Sequence, residues 1–404
     1  MMADGAPGKL ENARVLIYSH DTFGLGHLRR CRTIAHALVD RFKGLSVLIL
    51  TGSPIIGRFD FKARVDFVRI PGVIKLHNGD YTSLGLHINL DHTLALRESI
   101  ILHTADVFEP DLFIVDKEPL GLKGEVASTL AMLNARGVPT VLGLRDVLDA
   151  PHLLKPEWEN KGVLPALGDH YDEIWVYGDP AMGSPLAGLA LPPALEEKIV
   201  YTGYLPRALP EKLHSRHLTD VPTPFLLITP GGGGDGVEMV DWVLRAYEAS
   251  AELPWHGLFV LGPFMSLAER EQFHARVERL PHASLITFDD QLECLMDEAV
   301  GVVAMGGYNT FCELLSFNKP SLIIPRTRPR QEQLIRAQKA AELGLVCMLD
   351  PRAGTSTGRM VEALHALNRC PCPQARMPAN FLSGLDSISD RVCRWVDAGS
   401  KGGH

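Results

Sequence analysis

Short apolar segments alternate with longer amphipathic stretches along most of the chain. The segment RVLIYS at Arg14–Ser19 is followed by a stretch of helical period at 27–42 and by SVLILT at Ser46–Thr51. Within 27–42, apolar residues recur at spacings of three and four and form one stripe, which comprises Cys31, Ile34, Ala35, Leu38 and Phe42. This alternation is typical of βαβ units and predicts a parallel sheet covered by helices.

The same alternation divides the chain into two series of elements. Further strands of the first series are predicted at 67–70, Leu112–Asp116, 140–144 and 174–177, with helices at 91–108 and 123–136. The second series has predicted strands at Phe225–Thr229, 257–261, 284–287, 300–305, 321–324 and 346–349. We therefore expect an α/β protein with two doubly wound, Rossmann-like domains in tandem.

The predicted domain limits follow composition shifts between these series. An N-terminal domain covers 1–200, and a proline-containing polar stretch at 201–222 has the composition of a linker. A C-terminal domain covers 223–375, and the region 376–404 is expected to form a helix that packs back toward the N-terminal domain.

Composition excludes several classes of protein. The chain has 404 residues, of which 46% are hydrophobic and 22% are charged, so it can fill two cores. A formal net charge of -8 gives no general attraction for nucleic acid. No segment reaches the ~18 apolar residues that a transmembrane helix needs, and the N-terminus lacks a signal-peptide core. We expect a cytoplasmic protein, with peripheral contact at the inner membrane face left open.

The cysteines favour a reduced protein without a metal site. The chain has 7 cysteines, an odd number, and they are scattered mostly through apolar segments. Cys370 and Cys372 are separated by one residue instead of the two of a zinc knuckle. We therefore expect free thiols and no metal.

A first glycine loop, HDTFGLGH, follows the first strand. Gly24 and Gly26 allow the backbone to approach a ligand at the start of a helix. Arg29 occupies the place of the third glycine of a dinucleotide fingerprint, which argues against NAD. His27 at the helix start is a candidate general base, and a histidine that caps the helix is the alternative.

A second loop, TPGGGGDG, lies between the strand Phe225–Thr229 and a helix. It contains Gly231, Gly232, Gly233 and Gly234. Consecutive glycines are costly in folding, so we interpret them as a cradle for a phosphate or diphosphate. The Lys-Ser/Thr ending of a P-loop is missing, which disfavours an ATP hydrolase.

A third loop, MGGYNTFCE, also connects a strand to a helix. Gly306 and Gly307 free the turn, Thr310 can contact a phosphate, and the carboxylate of Glu313 can accept hydrogen bonds from a ribose diol. The structural alternative is that Thr310 and Glu313 form a helix capping box, since T-x-x-E is that motif.

The segment MGGYNTFCELLSFNKPSLIIPRTRPRQEQLIRA resembles the donor motif of GT-B glycosyltransferases related to the peptidoglycan N-acetylglucosaminyltransferase, which belong to glycosyltransferase family 28. The resemblance implies a UDP-sugar held in a cleft between two Rossmann-like domains. It implies that Glu313 contacts the ribose, that Glu332 and Gln333 contact the sugar, and that the base lies near Phe288. The full implied nucleotide-sugar set is Gly24, Gly26, Gly231, Gly232, Gly233, Gly234, Phe288, Gly306, Gly307, Asn309, Thr310, Glu313, Glu332 and Gln333. Glu332 stands where the family usually has glutamine.

The first loop, FGLGHLRRC, is also similar to the corresponding loop of this family and to that of a UDP-sugar hydrolase of pseudaminic acid synthesis. The resemblance gives His27 the role of base in both comparisons. It implies transfer of a hexose from a UDP-sugar to an acceptor hydroxyl. If His27 removes the proton of that hydroxyl as UDP leaves, the transfer inverts the anomeric carbon. The helix N-termini after the glycine loops can then stabilise the departing diphosphate, so we expect no metal and no cofactor. A UDP-sugar hydrolase, an epimerase and a non-catalytic nucleotide-sugar sensor are the alternatives.

Candidates on the acceptor side are weaker. Arg30, Arg145 and Asp146 lie near predicted strand ends or beside the first loop, and a lipid-linked acceptor at a membrane surface is one possibility. Solvated helix faces or a structural salt bridge explain the same residues equally well. The pair Asp289 and Asp290 is read as a helix cap in preference to a metal site.

Overall fold

The structure of the protein is a computed structural model that describes residues 8–10, 12–20, 26–75, 81–210 and 220–401. The chain forms two compact units. Unit 1 comprises Met1–Leu205 together with Ser383–His404, and unit 2 comprises Pro206–Leu382.

Unit 1 contains strands and helices in alternation. Its described strands are β1 (Gly8–Lys9), β2 (Arg14–Ser19), β3 (Phe42–Lys43), β4 (Ser46–Thr51), β5 (Val65–Arg69), β6 (Val73–Lys75), β7 (Tyr81–Ser83), β8 (Leu112–Asp116), β9 (Thr140–Arg145), β10 (Glu173–Tyr177) and β11 (Ile199–Tyr201). Its described helices are α1 (Gly26–Arg41), α2 (Leu90–Phe108), α3 (Ala127–Ala135), α4 (Pro151–Asn160), α5 (Val163–His170), α6 (Pro193–Glu196) and the C-terminal α13 (Gly384–Lys401).

Unit 2 repeats the alternation. Its described strands are β12 (Phe225–Thr229), β13 (His256–Val260), β14 (Ala283–Ile286), β15 (Gly301–Ala304), β16 (Ser321–Ile323) and β17 (Cys347–Met348). Its described helices are α7 (Val237–Ala249), α8 (Leu267–Val277), α9 (Leu292–Glu298), α10 (Tyr308–Ser316), α11 (Glu332–Glu342) and α12 (Thr357–His365).

Each unit is built on one parallel sheet with the same winding. The strand order is β11-β10-β9-β8-β2-β4-β5 in unit 1 and β14-β13-β12-β15-β16-β17 in unit 2. In both sheets the chain winds outward in one direction, returns to the middle and winds outward in the other. The switch point lies between β2 and β8 in unit 1 and between β12 and β15 in unit 2. Ligands of doubly wound folds bind beyond the carboxyl ends of the strands at this place.

The cores explain why the strands read as continuous apolar runs. All residues of β8 and of β12 are buried, since helices cover both faces of each sheet. The predicted stripe on α1 is buried as expected, with Cys31, Ile34, Ala35 and Leu38 at most 1% exposed. The two predicted doubly wound domains are confirmed.

The structure adds elements that the pattern did not predict. The antiparallel pair β6 and β7 lies in a stretch without clear periodicity. Helices α4 and α5 are short, and α4 contains Pro156 in its interior, so their helical period is weak. Strand ends differ from the prediction by one or two residues because apolar runs continue into the adjoining turns.

The C-terminal helix α13 belongs to unit 1. Its first residue donates a backbone hydrogen bond from Gly384 N to Tyr204 O over 3.0 Å. Arg391 Nη1 donates to Glu173 Oε1 of β10 over 2.8 Å, and Arg41 of α1 pairs with Asp390. The helix therefore adds ion pairs to two elements that lie far away in the sequence.

The expectation that all cysteines are free thiols is wrong for one pair. Cys347 of β17 is disulfide-bonded to Cys370, and their Cα atoms are 5.6 Å apart. The free cysteines of the described chain are Cys31, Cys294, Cys312, Cys372 and Cys393. The prediction considered only spacing along the chain, whereas the fold brings the edge strand β17 next to the turn after α12 that carries Cys370.

None of the helices in the described part of the chain has the length and hydrophobicity that crossing a bilayer requires.

Candidate functional residues at the switch point of each unit

The switch point of unit 1 holds a hydrogen-bonded histidine and carboxylate. His27 is the second residue of α1, which follows β2, and Asp116 is the last residue of β8. His27 Nδ1 lies 2.5 Å from Asp116 Oδ2. The two residues are far apart in sequence but meet because β2 and β8 are neighbours with their carboxyl ends at one edge.

Arg30, one turn into α1, neutralises this carboxylate. Its Nε donates to Asp116 Oδ1 over 2.8 Å, and its Nη2 donates to Oδ1 and Oδ2 over 2.6 and 2.7 Å. The side chain of Arg30 is only 2% exposed. Burial by itself would raise the pKa of Asp116, but Arg30 and His27 together hold that pKa well below its usual range. Asp116 is therefore ionised.

An ionised Asp116 decides the protonation of the imidazole. A carboxylate only accepts hydrogen bonds, so His27 Nδ1 carries the proton that it donates to Asp116. Arg30 Nη2, 3.0 Å from the same nitrogen, then lies beside an N–H and not a lone pair. Nε2 consequently keeps its lone pair. This tautomer is the one that a general base requires.

The charge state of His27 follows from burial. Burial lowers the pKa of His27 to about 4; the nearby Asp116 opposes this shift, whereas Arg30 and Lys117 add to it. The side chain is 16% exposed. His27 is therefore neutral at pH 7 and able to accept a proton.

A second imidazole lies beside His27. The ring of His20, which follows β2, is 5.8 Å from the ring of His27 in an edge-to-face arrangement. His20 is 4% exposed, and burial, followed by Lys117, lowers its pKa well below the usual value. It adds no positive charge at pH 7.

The glycine loop of unit 2 follows β12 at its switch point. Gly231 and Gly233 have φ of +85° and +88°, which residues with a Cβ rarely adopt. A Cβ on Gly233 would lie 2.3 Å from Leu261 O, and one on Gly262 would lie 2.3 Å from Gly231 O. These glycines are therefore required for the close packing of two neighbouring turns.

Gly232 does not have this structural requirement, whereas a Cβ on Gly236 would lie 2.2 Å from Pro230 Cβ. Gly232 and Gly234 are exposed. A Cβ on Gly232 would meet nothing nearer than the Phe264 ring at 3.4 Å. Packing therefore accounts for Gly233, whereas a side chain would fit at Gly232, and its role in binding phosphate stays a prediction.

The third loop follows β15 and lies next to the glycine loop. Gly306 has φ of +76°, and a Cβ there would be 2.8 Å from Ile323. Gly307 is the N-cap residue of α10, without a side-chain cap. A Cβ on Gly231 would be 3.7 Å from Thr310 Oγ1, so the two loops adjoin.

The capping-box alternative for this loop is wrong. Helix α10 starts at Tyr308, so Thr310 and Glu313 both lie inside it. Glu313 is 1% exposed. Neighbouring side chains hold the turn: Arg336 Nη1 donates to Gly306 O over 3.1 Å, and Arg207 Nη2 donates to Asn309 Oδ1 over 3.0 Å.

The residues beside β14, on one side of these loops, and those beside β16, on the other side, differ in polarity and burial. On the β14 side, Phe288 is 38% exposed. Asp289 Oδ1 accepts from Gln291 N over 2.7 Å, but the N-cap of α9 is Gln291, so Asp289 stabilises the preceding turn and is not the N-cap. On the β16 side, Glu332 and Gln333 begin α11 and are 6% and 8% exposed.

The remaining candidates of unit 1 lie after β9 or in the first loop. Asp146 Oδ2 accepts from Tyr204 OH over 2.7 Å, and Oδ1 accepts from Val147 N, while Arg145 is half-buried. Gly26 is the first residue of α1. Gly24 lies outside the described residues. For Arg30, the sequence left a contact with the acceptor and a solvated helix face as alternatives. In the structure its side chain is buried against Asp116.

Sequence reasoning missed Asp116, His20 and Arg336. For Asp116 a signal was available, because a charged residue that ends an otherwise apolar strand lies at the ligand edge of a parallel sheet. Arg336 carried no such signal, since a single arginine on an amphipathic helix is normally solvated. Within the described ranges, no cluster of at least three His, Cys, Asp or Glu side chains could hold a metal ion.

Comparison with known proteins identifies the fold and one domain. Residues 246–392 match the glycosyltransferase family 28 C-terminal domain. A search of curated proteins gave no match. The crystal structure of TcCGT1 in complex with UDP is similar, with a TM-score of 0.67 at 13% identity over 97% of this chain and 100% of that chain.

Other similar structures include both transferases and epimerases. MurG from Acinetobacter baumannii has a TM-score of 0.59 at 11% identity, with 95% of this chain and 99% of that chain covered. A UDP-GlcNAc 2-epimerase from Neisseria meningitidis, bound to UDP-GlcNAc, has a TM-score of 0.61 at 13% identity, with 96% and 100% covered. The resemblance inferred from the donor motif is confirmed: the chain has the GT-B fold and carries a glycosyltransferase family 28 C-terminal domain.

Proposed function

We propose that the chain transfers a hexose-type sugar from a UDP-sugar to an acceptor hydroxyl, with unit 2 binding the donor and His27 of unit 1 acting as the base. The observation that carries the chemical step is the hydrogen bond of 2.5 Å between His27 Nδ1 and Asp116. It presents a neutral imidazole whose Nε2 can take the proton of an attacking hydroxyl. Transfer with inversion follows if that hydroxyl attacks the anomeric carbon as UDP leaves.

Donor binding is proposed for the two adjoining glycine loops of unit 2. Gly232 is exposed, and the N-termini of α7 and α10 follow the two loops. Helix N-termini offer N–H donors and a positive dipole end to a diphosphate. The leaving diphosphate gains negative charge, so these groups can stabilise it without a metal or a cofactor. TcCGT1 and the epimerase, which bind UDP and UDP-GlcNAc, support a uridine donor.

Glu313 is proposed to accept hydrogen bonds from the ribose diol, and Phe288 to contact the base. The buried position of Glu313 inside α10 supports a fixed carboxylate, and the exposed ring of Phe288 supports an apolar contact. Asn309 and Thr310, in the first turn of α10, adjoin the diphosphate in this arrangement.

A hydrolase or epimerase is the second candidate, because structures of UDP-GlcNAc 2-epimerases share the fold over nearly the whole chain. In a hydrolase the same imidazole would activate water in place of an acceptor hydroxyl. An epimerase would eliminate UDP transiently and convert the sugar without net release of the nucleotide.

The test is UDP release from a panel of UDP-sugars, with and without a membrane lipid extract. Release that requires the extract supports transfer to a lipid-linked acceptor at the inner membrane face. Release without it supports hydrolysis, and sugar conversion without net release supports epimerisation. UDP binding without either reaction supports a sensor. A chain that binds neither UDP nor any UDP-sugar contradicts the proposal.

A further inference from the structure

A single arginine connects the glycine loop of unit 2 to the start of α11. Arg326 follows β16 and pairs with Asp235 of the glycine loop and with Glu332, the first residue of α11. Its backbone N–H donates to Gln333 Oε1 over 3.0 Å. The side chain of Arg326 is 23% exposed, that of Glu332 is 7% exposed and that of Asp235 is 44% exposed. The arrangement is thus half-buried and borders the proposed phosphate site.

These contacts fix which atoms the start of α11 presents to a ligand. A backbone N–H only donates, so the Gln333 atom that receives it is the amide oxygen, and the amide nitrogen points elsewhere as a donor. The carboxylate of Glu332, which pairs with Arg326, only accepts. Glu332 and Gln333 therefore form a fixed pair of one acceptor and one donor.

The chemistry of the two flanks indicates which end of a UDP-sugar this pair meets. The flank beside β14 carries the exposed aromatic ring of Phe288, which suits the flat face of a base. The flank beside β16 carries the buried polar pair Glu332 and Gln333, which suits hydroxyl groups. A hydroxyl can donate to the carboxylate while its neighbour accepts from the amide.

We propose that Arg326 is the positioning residue for the donor sugar: it holds Glu332 and Gln333 in place for two sugar hydroxyls and ties both to the glycine loop. The inference rests on the proposed function and extends it to a residue that need not touch the sugar. It also accounts for Glu332 at a position where the similar family usually has glutamine. A neutral amide would form no ion pair with Arg326, whereas the carboxylate does.

The test compares the affinity for UDP with that for UDP-glucose and UDP-GlcNAc by titration calorimetry. In the unaltered protein, one of the sugars should raise the affinity above that of UDP. In Arg326→Ala we expect this gain to fall about tenfold, since about 1.4 kcal/mol corresponds to that factor. Affinity for UDP alone should change less than about twofold on the same scale.

Arg276→Ala is the matched control. Arg276 also bridges two carboxylates of unit 2, with Nη1 2.7 Å from Asp241 Oδ1 and Nε 2.7 Å from Glu248 Oε1. It lies near the C-terminus of α8, away from the carboxyl ends of the strands. In this variant the UDP-sugar should still bind more tightly than UDP. The control therefore shows whether removing any ion-paired arginine of unit 2 has the same effect.

A double-mutant cycle tests whether Arg326 acts through Glu332. Arg326→Ala should cost less sugar affinity in a Glu332→Gln background than in the unaltered protein. Arg326→Lys should restore only part of the gain, because an ammonium group does not reproduce the planar fork that reaches both carboxylates.

The inference is overturned if Arg326→Ala keeps the full gain from the sugar, or if no sugar raises affinity above that of UDP. Equal losses of UDP and UDP-sugar affinity would also overturn it, since they would show a general effect on the loop. Failure of the proposed function gives a different result from failure of this inference, because the unaltered protein would then bind no UDP.

Discussion

The two switch points have the same topology but differ in the groups that they present: side chains in unit 1 and backbone in unit 2. In unit 1, three side chains meet between β2 and β8, and they form a buried ion pair with a neutral imidazole attached to it. In unit 2, the turns that follow β12 and β15 are rich in glycine, so they present backbone groups in place of side chains. The winding of the sheet thus decides where a ligand can bind, whereas side chains or their absence decide what happens there. In the proposed function, unit 1 supplies the residue that accepts a proton and unit 2 binds the diphosphate.

The largest expected effect tests this division directly. His27→Ala should lower turnover about a thousandfold, within the range by which general bases act. UDP affinity should stay unchanged, because the loops proposed to bind the donor belong to unit 2. The checks are initial rates of UDP release and calorimetric UDP binding, with exposed His103→Ala as the matched control. Normal turnover in His27→Ala would refute the base assignment.

The buried ion pair of unit 1 should also matter for folding. Arg30→Met removes the partner of a buried carboxylate and should lower the free energy of unfolding by about 3 kcal/mol. Denaturant titration measures this loss, and exposed Arg136→Met, whose partner Asp106 is 46% exposed, should cost less than about 1 kcal/mol. Equal costs for the two variants would contradict the importance of burial.

The glycine loop of unit 2 offers a pair of substitutions that separates packing from binding. Gly233→Ala forces a Cβ against Leu261 O at a φ of +88° and should cost about 2 kcal/mol of stability. Gly232→Ala has room and should leave the melting temperature unchanged, yet lower UDP affinity about tenfold if phosphate approaches the bare backbone. Unchanged UDP affinity in Gly232→Ala would argue against a phosphate at that residue.

The smallest expected effect is a shift in pH dependence. Because the pKa of His27 is lowered to about 4, the basic imidazole is present above that pH and turnover should fall as pH drops through it. Arg30 contributes to this lowering, so Arg30→Met should move the acid limb upward. Profiles of kcat/KM against pH measure the acid limb in the unaltered protein and in Arg30→Met. An acid limb near pH 6.5 in the unaltered protein would contradict the effect of burial on His27.

The sequence predicted the fold well because periodicity is a local property. Every strand of the two main sheets that was predicted from an apolar run is present, since runs such as Leu112–Asp116 are buried on both faces. The short helices α4 and α5 were missed because their patterns are brief. The glycine loops and His27 could be found from their place between strand and helix.

Contacts between distant residues could not be predicted in the same way. The pairing of Asp116 with His27 depends on which strands become neighbours, and a local pattern does not encode strand order. The same holds for Arg326 with Asp235 and for Cys347 with Cys370. Sequence alone located the candidate loops between strand and helix, whereas the partners that set charge and orientation became visible only in the fold.

Helix α13 has a consequence for how the protein is made. Unit 2 is one continuous stretch, whereas unit 1 contains both the first and the last segments of the chain. During synthesis, the ribosome completes Pro206–Leu382 before α13 is available to α1 and β10. The unit whose translation begins first is therefore finished last, and a stop codon after residue 382 would leave unit 2 whole while removing a helix from the unit that carries His27.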